Sequence, residues 1–522
     1  MSQPVLIAGE WRQAQSSGTF QAENPATKSP LSDEYPFSTW ADCDAALQSA
    51  SEAFDELLGT APEKIAEFLE AFAANIEARK DDLVEMANQE TGLPASPRLA
   101  DAELPRTTNQ LRQAADAVRE GSWAMPTIDT QAGIRSVYRA IGPVCVFGPN
   151  NFPFAFNSMA GGDFAAAIAA GNPVIAKANS SHPGTTRLFA EEAHKAAQAT
   201  GMPAGIVQLI YRTGHADGEK LVSDARVGAT GYTGSRSAGL KLKAAADGAG
   251  KPIYLELSSV NPVVILPGAI AERAEALAQE FTTSCLMGTG QFCTNPGMVL
   301  VLDGESTESM IQDIAKRFGA APVGTLLSKG VETSLSGNLN VLVENGAEVL
   351  VGNAPGDSSR YSVSNTLLRV RGETFLEDPE TMQTEAFGNA SLIVVATDLD
   401  QAAEILKALE GNLTGSIYSE TGNVDDGAYA KLEPILRQKV GRLLNDKMPT
   451  GVAVSAAMNH GGPFPATGHP GFTAVGIPGS IFRFAMLQSY DAVRPHRLPT
   501  SLQDERPNGT MWRRIDGRWD QA

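Results

Sequence analysis

Residues 141–177, IGPVCVFGPNNFPFAFNSMAGGDFAAAIAAGNPVIAK, read as a β-strand, a crossover and a second β-strand. The apolar run GPVCVF ends in a Pro- and Asn-rich turn, the Ala-rich stretch that follows suits a helix, and NPVIAK is again β-branched and apolar. Strands joined through a helical crossover lie parallel, because only a crossover returns the chain to run in the same direction. The pattern repeats downstream, with GIVQLIY, GATGYTG and PIYLELSS separated by Ala-rich segments. The region from Ile141 to Ser259 is thus predicted to form a doubly wound α/β sheet of the nucleotide-binding kind.

Outward from this core, residues from Trp40 to about Glu120 show helical spacing, as in AALQSASEAFDELL and KIAEFLEAFAANIEARKDDLVEMANQE. From Asn261 to about Gly468 a second alternating region carries the strands NPVVIL, GMVLVL, AEVLVG and SLIVVA and the helical segment EALAQEFTTSCLMG. It reads as a second α/β domain. Beyond about Pro499 the chain is polar but holds Trp512 and Trp519, which suggests a tail that docks on a neighbour.

A length of 522 residues suits two or three packed units. Hydrophobic content of 43% with 19% charged residues is that of a folded globular protein. The formal net charge of -19, with no run of Lys and Arg, repels a phosphate backbone and argues against nucleic-acid binding. The start MSQPVLIAGEW lacks a basic segment followed by a long apolar one, and no stretch is apolar enough to span a bilayer, so a cytoplasmic, non-membrane protein is expected. Four cysteines, none in a CxxC pair, are too few for a disulfide framework, and six histidines show no ligand spacing, so no metal site is expected.

Four segments carry candidate chemistry. GTGQFCTNPG places Cys293 in a Gly-rich turn after a helix, where a thiol can meet a ligand, although a small buried hydrophobe is the common fate of cysteine. Cys145 and Cys285 read as core, and Cys43 as structural or incidental. PIYLELSSVNP holds Glu256 at an apolar strand end, where burial favours proton acceptance; the plain alternative is an edge or salt-bridged residue. GPNNFPFAFN offers Asn151, either an amide donor to a developing oxyanion or a simple turn residue. GYTGSRSAG opens a helix at a strand end, so its N–H groups and Ser235 could meet a pyrophosphate, though it is not GxGxxG.

In this order the pieces resemble the aldehyde dehydrogenase superfamily, from the first strand to about Pro499. The family's Asn-Phe-Pro motif matches Asn151-Phe152-Pro153, its cofactor lysine Lys177, its Gly-Ser turn Gly234-Ser235, its general base Glu256, its nucleophile Cys293, and its Glu-x-Phe-Gly ribose motif Glu385, Phe387 and Gly388. The resemblance implies a Rossmann-like cofactor-binding domain (1–121 and 141–258), a catalytic domain (259–468), a small β oligomerisation flap (122–140 and 485–499) and a C-terminal tail (500–522). It further implies a homodimer or homotetramer. The implied chemistry is attack of Cys293 on an aldehyde, with Asn151 and the Cys293 N–H holding the oxyanion, then hydride transfer and hydrolysis of the thioester by water that Glu256 activates. Ordinary thiols titrate at about 8.5, so Cys293 needs local activation.

GQFCTNPG, ELSSVNP and KANSSHPGT are most similar to the branch of α-ketoglutaric semialdehyde (2,5-dioxovalerate) dehydrogenases and NADP-dependent fatty aldehyde dehydrogenases. Where many NAD-type relatives place an acid three residues after the cofactor lysine, this chain has Ser180, so no carboxylate repels a 2′-phosphate. NADP is the expected cofactor, with NAD possible and Arg212 a further contact. Motif position puts Phe152, Phe156 and Phe464 in the substrate pocket, but no carboxylate-binding group for a semialdehyde is identified. A medium- or long-chain aliphatic aldehyde is the alternative substrate. CoA acylation would not need Glu256, and a non-catalytic relative would not need the whole set.

Overall fold

The computed structural model describes residues 2–469, 471–505 and 510–521. The five strands predicted between Ile141 and Ser259 form at Val144–Phe147, Val174–Lys177, Val207–Ile210, Ala229–Thr233 and Ile253–Glu256. All pair in parallel, in the spatial order 253, 229, 144, 174, 207 by first residue, and Val5–Ile7 and Glu10–Arg12 extend the sheet antiparallel at the far edge. The chain first builds outward from Val144 through Val174 to Val207, then returns to add Ala229 and Ile253 on the other side. That reversal opens a crevice at the carboxyl ends of the strands starting at Val144 and Ala229, the place where open α/β sheets bind ligands.

The second sheet has seven strands, in the order Glu348–Val351, Thr366–Arg371, Ala390–Ala396, Met298–Leu302, Val263–Ile265, Asn412–Tyr418 and Val440–Asn445. Its central strands are buried on both faces, and separate hydrophobic clusters cover the two sides, one including Leu300, Leu392 and Phe375, the other Val299, Ile393 and Phe281. Helices on both faces account for runs such as ASLIVVA that do not alternate.

The helical stretch 64–90 divides at Arg79, which leaves helical geometry (φ −106°, ψ 21°) between helices Pro62–Ala78 and Lys80–Thr91. There its guanidinium reaches Glu192 on a neighbouring helix at 2.7 Å.

The strands Ile134–Ala140 and Ala485–Asp491 pair antiparallel, in the region where the resemblance places the flap. The tail does not stand apart from them: Trp512–Ile515 pairs in parallel with Thr127–Asp129, and a turn at Asp516-Gly517, both at positive φ, folds back Arg518–Gln521. Asp-Gly between apolar residues is a strong hairpin signal, so the turn was legible in RRIDGRWD. Of the tail, residues 506–509 and 522 lie outside the described residues. Among the described residues, no helix is long and apolar enough to cross a membrane.

Candidate active site

Three functional side chains converge where the two sheets face each other. Glu256 is the last residue of its strand and is 1% exposed. Cys293 follows a tight turn, Met287–Gly290, in which Gly288, Thr289 and Gly290 all have positive φ. Gly290 is required there, because a Cβ would lie 1.9 Å from the carbonyl oxygen of Gly388. Asn261 fixes the turn by donating to the main-chain carbonyls of Cys293 and Asn295, each at 2.9 Å.

The third side chain, His460, has no counterpart in the sequence reading. Its Nε2 lies 2.9 Å from Glu256 Oε1 and 3.4 Å from Cys293 Sγ. One nitrogen therefore touches both groups: as N–H it donates to the carboxylate, and with a free lone pair it accepts the thiol proton. The ring is held from behind, since His460 N donates to Thr473 Oγ1 at 3.1 Å and its carbonyl accepts from Ala474 N at 2.9 Å. His460 stands 204 residues from Glu256 and 167 from Cys293, so no local spacing could announce it. The one available signal was His-Gly-Gly, marking close backbone approach: a Cβ at Gly461 would lie 2.1 Å from the Phe472 carbonyl.

Burial, and then the charge of Glu256, push the Cys293 thiol well above the ordinary thiol range. The other cysteines are fully buried; desolvation takes Cys43 and Cys285 up to about 12 and Cys145 higher still. Cys293 alone among them is partly exposed and next to a base. Glu256 Oε2 is buried without a hydrogen-bond partner, a position open to a water molecule. The thiol, imidazole and carboxylate donors lie within 4.8 Å of one another, a set that a thiophilic ion such as zinc can also occupy.

Asn151 is buried, lines the same cavity as Cys293, and donates from Nδ2 to the Gln291 carbonyl at 3.0 Å, which uses one of its two amide hydrogens. Among the described residues the Cys293 N–H donates to no acceptor. These two groups suit an oxyanion pocket.

A cavity of about 770 Å³ leads from these residues along the crevice of the first sheet. Gly234, Ser235, Glu385 and Phe387 line it together with Asn151, Glu256 and Cys293. Ser235 is the N-cap of helix Arg236–Gly248, whose first N–H groups face an incoming anion. Burial raises Glu385 to about 7 despite hydrogen bonds from Ser258 and Ser259. Lys177 and Ser180 lie outside this cavity, at the end of the strand beyond Val144–Phe147. Burial and the neighbouring Arg212 lower Lys177 to about 8.

Phe152 and Phe156 pack with each other and with Phe292, each pair at 5.3 Å with Phe152, in an apolar cluster that also holds Phe472 and Val475. Phe464 does not join them. The segment around it runs beside the Glu256 strand, with Leu257 N donating to Ala466 O, and Phe464 is left 57% exposed over Arg236, itself paired with Glu410 on the cofactor side. The structure thus sets Phe464 apart from Phe152 and Phe156, which pack with Phe292 and Phe472.

The sequence profile of the aldehyde dehydrogenase family matches residues 11–433. The chain is 39% identical to a protein named alpha-ketoglutaric semialdehyde dehydrogenase 2 from Azospirillum brasilense, over 96% of this chain and 97% of that one. It is 34% identical to the alpha-ketoglutaric semialdehyde dehydrogenase of Acinetobacter baylyi, over 95% of each. Among solved structures, a mutant aldehyde dehydrogenase C of Pseudomonas syringae in complex with NAD+ and octanal superposes with a TM-score of 0.80 at 20% identity, covering 95% of this chain and 98% of that one. Lactaldehyde dehydrogenase of Escherichia coli gives 0.79 at 22% identity, covering 94% and 98%.

Proposed function

The chain belongs to the aldehyde dehydrogenase family, and from that premise we propose that it oxidises α-ketoglutaric semialdehyde to α-ketoglutarate with NADP, through a thioester on Cys293. As a member of the family it is an oxidoreductase acting on aldehydes with a nicotinamide cofactor. The observation that carries the mechanism is the contact of His460 Nε2 with both Cys293 Sγ and Glu256 Oε1. The substrate assignment rests on the names of the two relatives.

In this reading Cys293 adds to the aldehyde carbon as its proton passes to His460 Nε2. The second Asn151 hydrogen and the Cys293 N–H hold the oxygen of the thiohemiacetal. A nicotinamide cofactor held by the Ser235 helix start and Glu385 would supply the hydride acceptor that takes the Cys293 adduct to the thioester level. A water held at Glu256 Oε2 loses its proton to that carboxylate and attacks the thioester, and the acid departs as the thiol is restored. The presence of a buried base with an open oxygen favours water over CoA as the acyl acceptor.

The crevice fits a dinucleotide: the Ser235 helix start would hold the pyrophosphate and Glu385 the nicotinamide ribose. Lys177, with Arg212 beside it and Ser180 three residues on, would take the 2′-phosphate. Exposed Ile134, Met486 and Leu487 on the flap support association between copies of the chain.

Charge-assisted hydrogen bonds of this kind are worth about 1.5–3 kcal/mol, so kcat/KM for NADP should exceed that for NAD by about 10- to 100-fold at pH 7. Lys177 is protonated below about pH 8 and neutral above it. Attraction for the phosphate is therefore present at pH 7 and lost as pH rises, and the ratio of KM for NADP to KM for NAD should climb between pH 7 and pH 9. A bound phosphate raises the lysine, so the climb begins near the free-enzyme value of about 8 and continues to higher pH. A higher kcat/KM with NAD, or a ratio flat across this range, would remove Lys177 from the reading.

A further inference from the structure

We infer that Arg106 is the anion-binding residue of the substrate pocket, taking the carboxylate of an aldehyde acid whose aldehyde end lies at Cys293. The inference rests on the proposed semialdehyde reading and supplies the group that the sequence left unidentified.

Three arginines approach the reactive cysteine, and their donors are occupied differently. Arg98 is spent chiefly on the protein itself: its terminal Nη2 pairs with Glu103 at 3.3 Å and donates to the Asn151 carbonyl at 2.9 Å, its guanidinium stacks over Phe152 at 4.2 Å, and its inner Nε is left buried without an acceptor. Arg442 is spent as well, since its two terminal nitrogens donate to the carbonyls of Pro449 and Gly451 and pin that loop.

Arg106 differs. It sits in the first turn of helix Leu104–Glu120, which is anchored over the Phe152–Phe156 loop by Gln110 donating to the Ala155 carbonyl at 3.1 Å. Its guanidinium lies over the rings of Phe156 at 5.3 Å and Phe152 at 5.8 Å, and Phe156 in turn is 5.8 Å from the His460 ring. The group is thus on the apolar side of the catalytic trio, opposite the cofactor cavity, whose lining does not include it. Nε donates to Gln110 Oε1 at 3.2 Å, but Nη2 is buried with no acceptor, and among the described residues no carboxylate lies within ion-pair distance of Arg106. Its charge acts on Cys293, lowering the thiol against the raising effects of burial and Glu256.

A buried guanidinium donor without an acceptor, set over an aromatic cluster beside the reactive thiol, is a group short of one anion. A carboxylate fits the planar fork, and the phenylalanines below it take the short methylene chain between the two ends. An aliphatic aldehyde would fill the same cluster but leave Nη2 unpaired, which is how the pocket would discriminate.

The test has two arms on the full enzyme. In the first, kcat/KM is measured for α-ketoglutaric semialdehyde and for octanal in the wild type, Arg106→Gln and Arg106→Lys. The ratio of the two values should fall about 100-fold in the glutamine variant and less in the lysine variant, which keeps the charge. In the second, glutarate is tested as a competitive inhibitor of octanal oxidation, and its inhibition constant should rise by a similar factor in Arg106→Gln. If both aldehydes lose equally and glutarate inhibits all three proteins alike, Arg106 is structural and the inference is overturned. If the semialdehyde is a poor substrate of the wild type while glutarate still inhibits through Arg106, the anion site stands and the substrate reading falls.

Discussion

Glu256→Gln is expected to release one equivalent of reduced cofactor per site in a rapid burst and then to turn over about 10²- to 10⁴-fold more slowly than the wild type. The burst survives because thiol addition and hydride loss need Cys293 and the oxyanion donors, which the substitution leaves in place. The later rate collapses because a neutral amide cannot take a proton from water. The same variant should react with iodoacetamide at pH 7 at least as fast as the wild type. Glu256 helps to hold the Cys293 thiol high by its charge, so removing the charge lowers the thiol and increases its thiolate fraction. A variant without a burst, and with slowed alkylation, would instead place Glu256 ahead of hydride transfer.

His460 is expected to matter almost as much, with His460→Ala losing about 10²-fold in kcat. The side chain is 1% exposed and supplies the one hydrogen bond that Glu256 Oε1 makes to a side chain, while Oε2 has none. Deleting it strands a buried carboxylate, a cost of about 1–3 kcal/mol in stability. His460→Gln separates holding from proton transfer. Glutamine can donate to Glu256 but cannot take the thiol proton, so kcat should stay low and the rise of alkylation rate with pH should move upward. Recovery of kcat and of the wild-type pH profile in His460→Gln would assign the ring a positioning role only.

The contrast between Glu256 and His460 explains what the sequence could disclose. Glu256 and Cys293 sit in short segments whose local grammar, a strand end and a Gly-rich turn, survives as a motif. His460 acts across a contact that joins a loop after the second sheet to the end of a strand in the first, and no local pattern encodes that. Arg106 was hidden for the same reason, since on helix Leu104–Glu120 it reads as one more polar position until Phe152 and Phe156 are brought beneath it. The parallel strands were legible because burial on both faces leaves continuous apolar runs, as in VCVF and SLIVVA. The strand Asn412–Tyr418 was harder: NLTGSIY is wholly buried yet half polar, and Asn412 and Thr414 are satisfied by Val260, Asn261 and Ser259, partners visible only in the fold. Phe464, grouped with Phe152 and Phe156 by motif position, lies over Arg236, because the neighbouring backbone bonds to the Glu256 strand.

The most direct measurement is the initial rate of NADP reduction by the purified protein with α-ketoglutaric semialdehyde, beside octanal and a Cys293→Ala control. The account predicts a clear preference for the semialdehyde, release of the free acid without CoA, and no turnover in the control. Preference for octanal would contradict the substrate assignment, and turnover persisting in Cys293→Ala would contradict the mechanism.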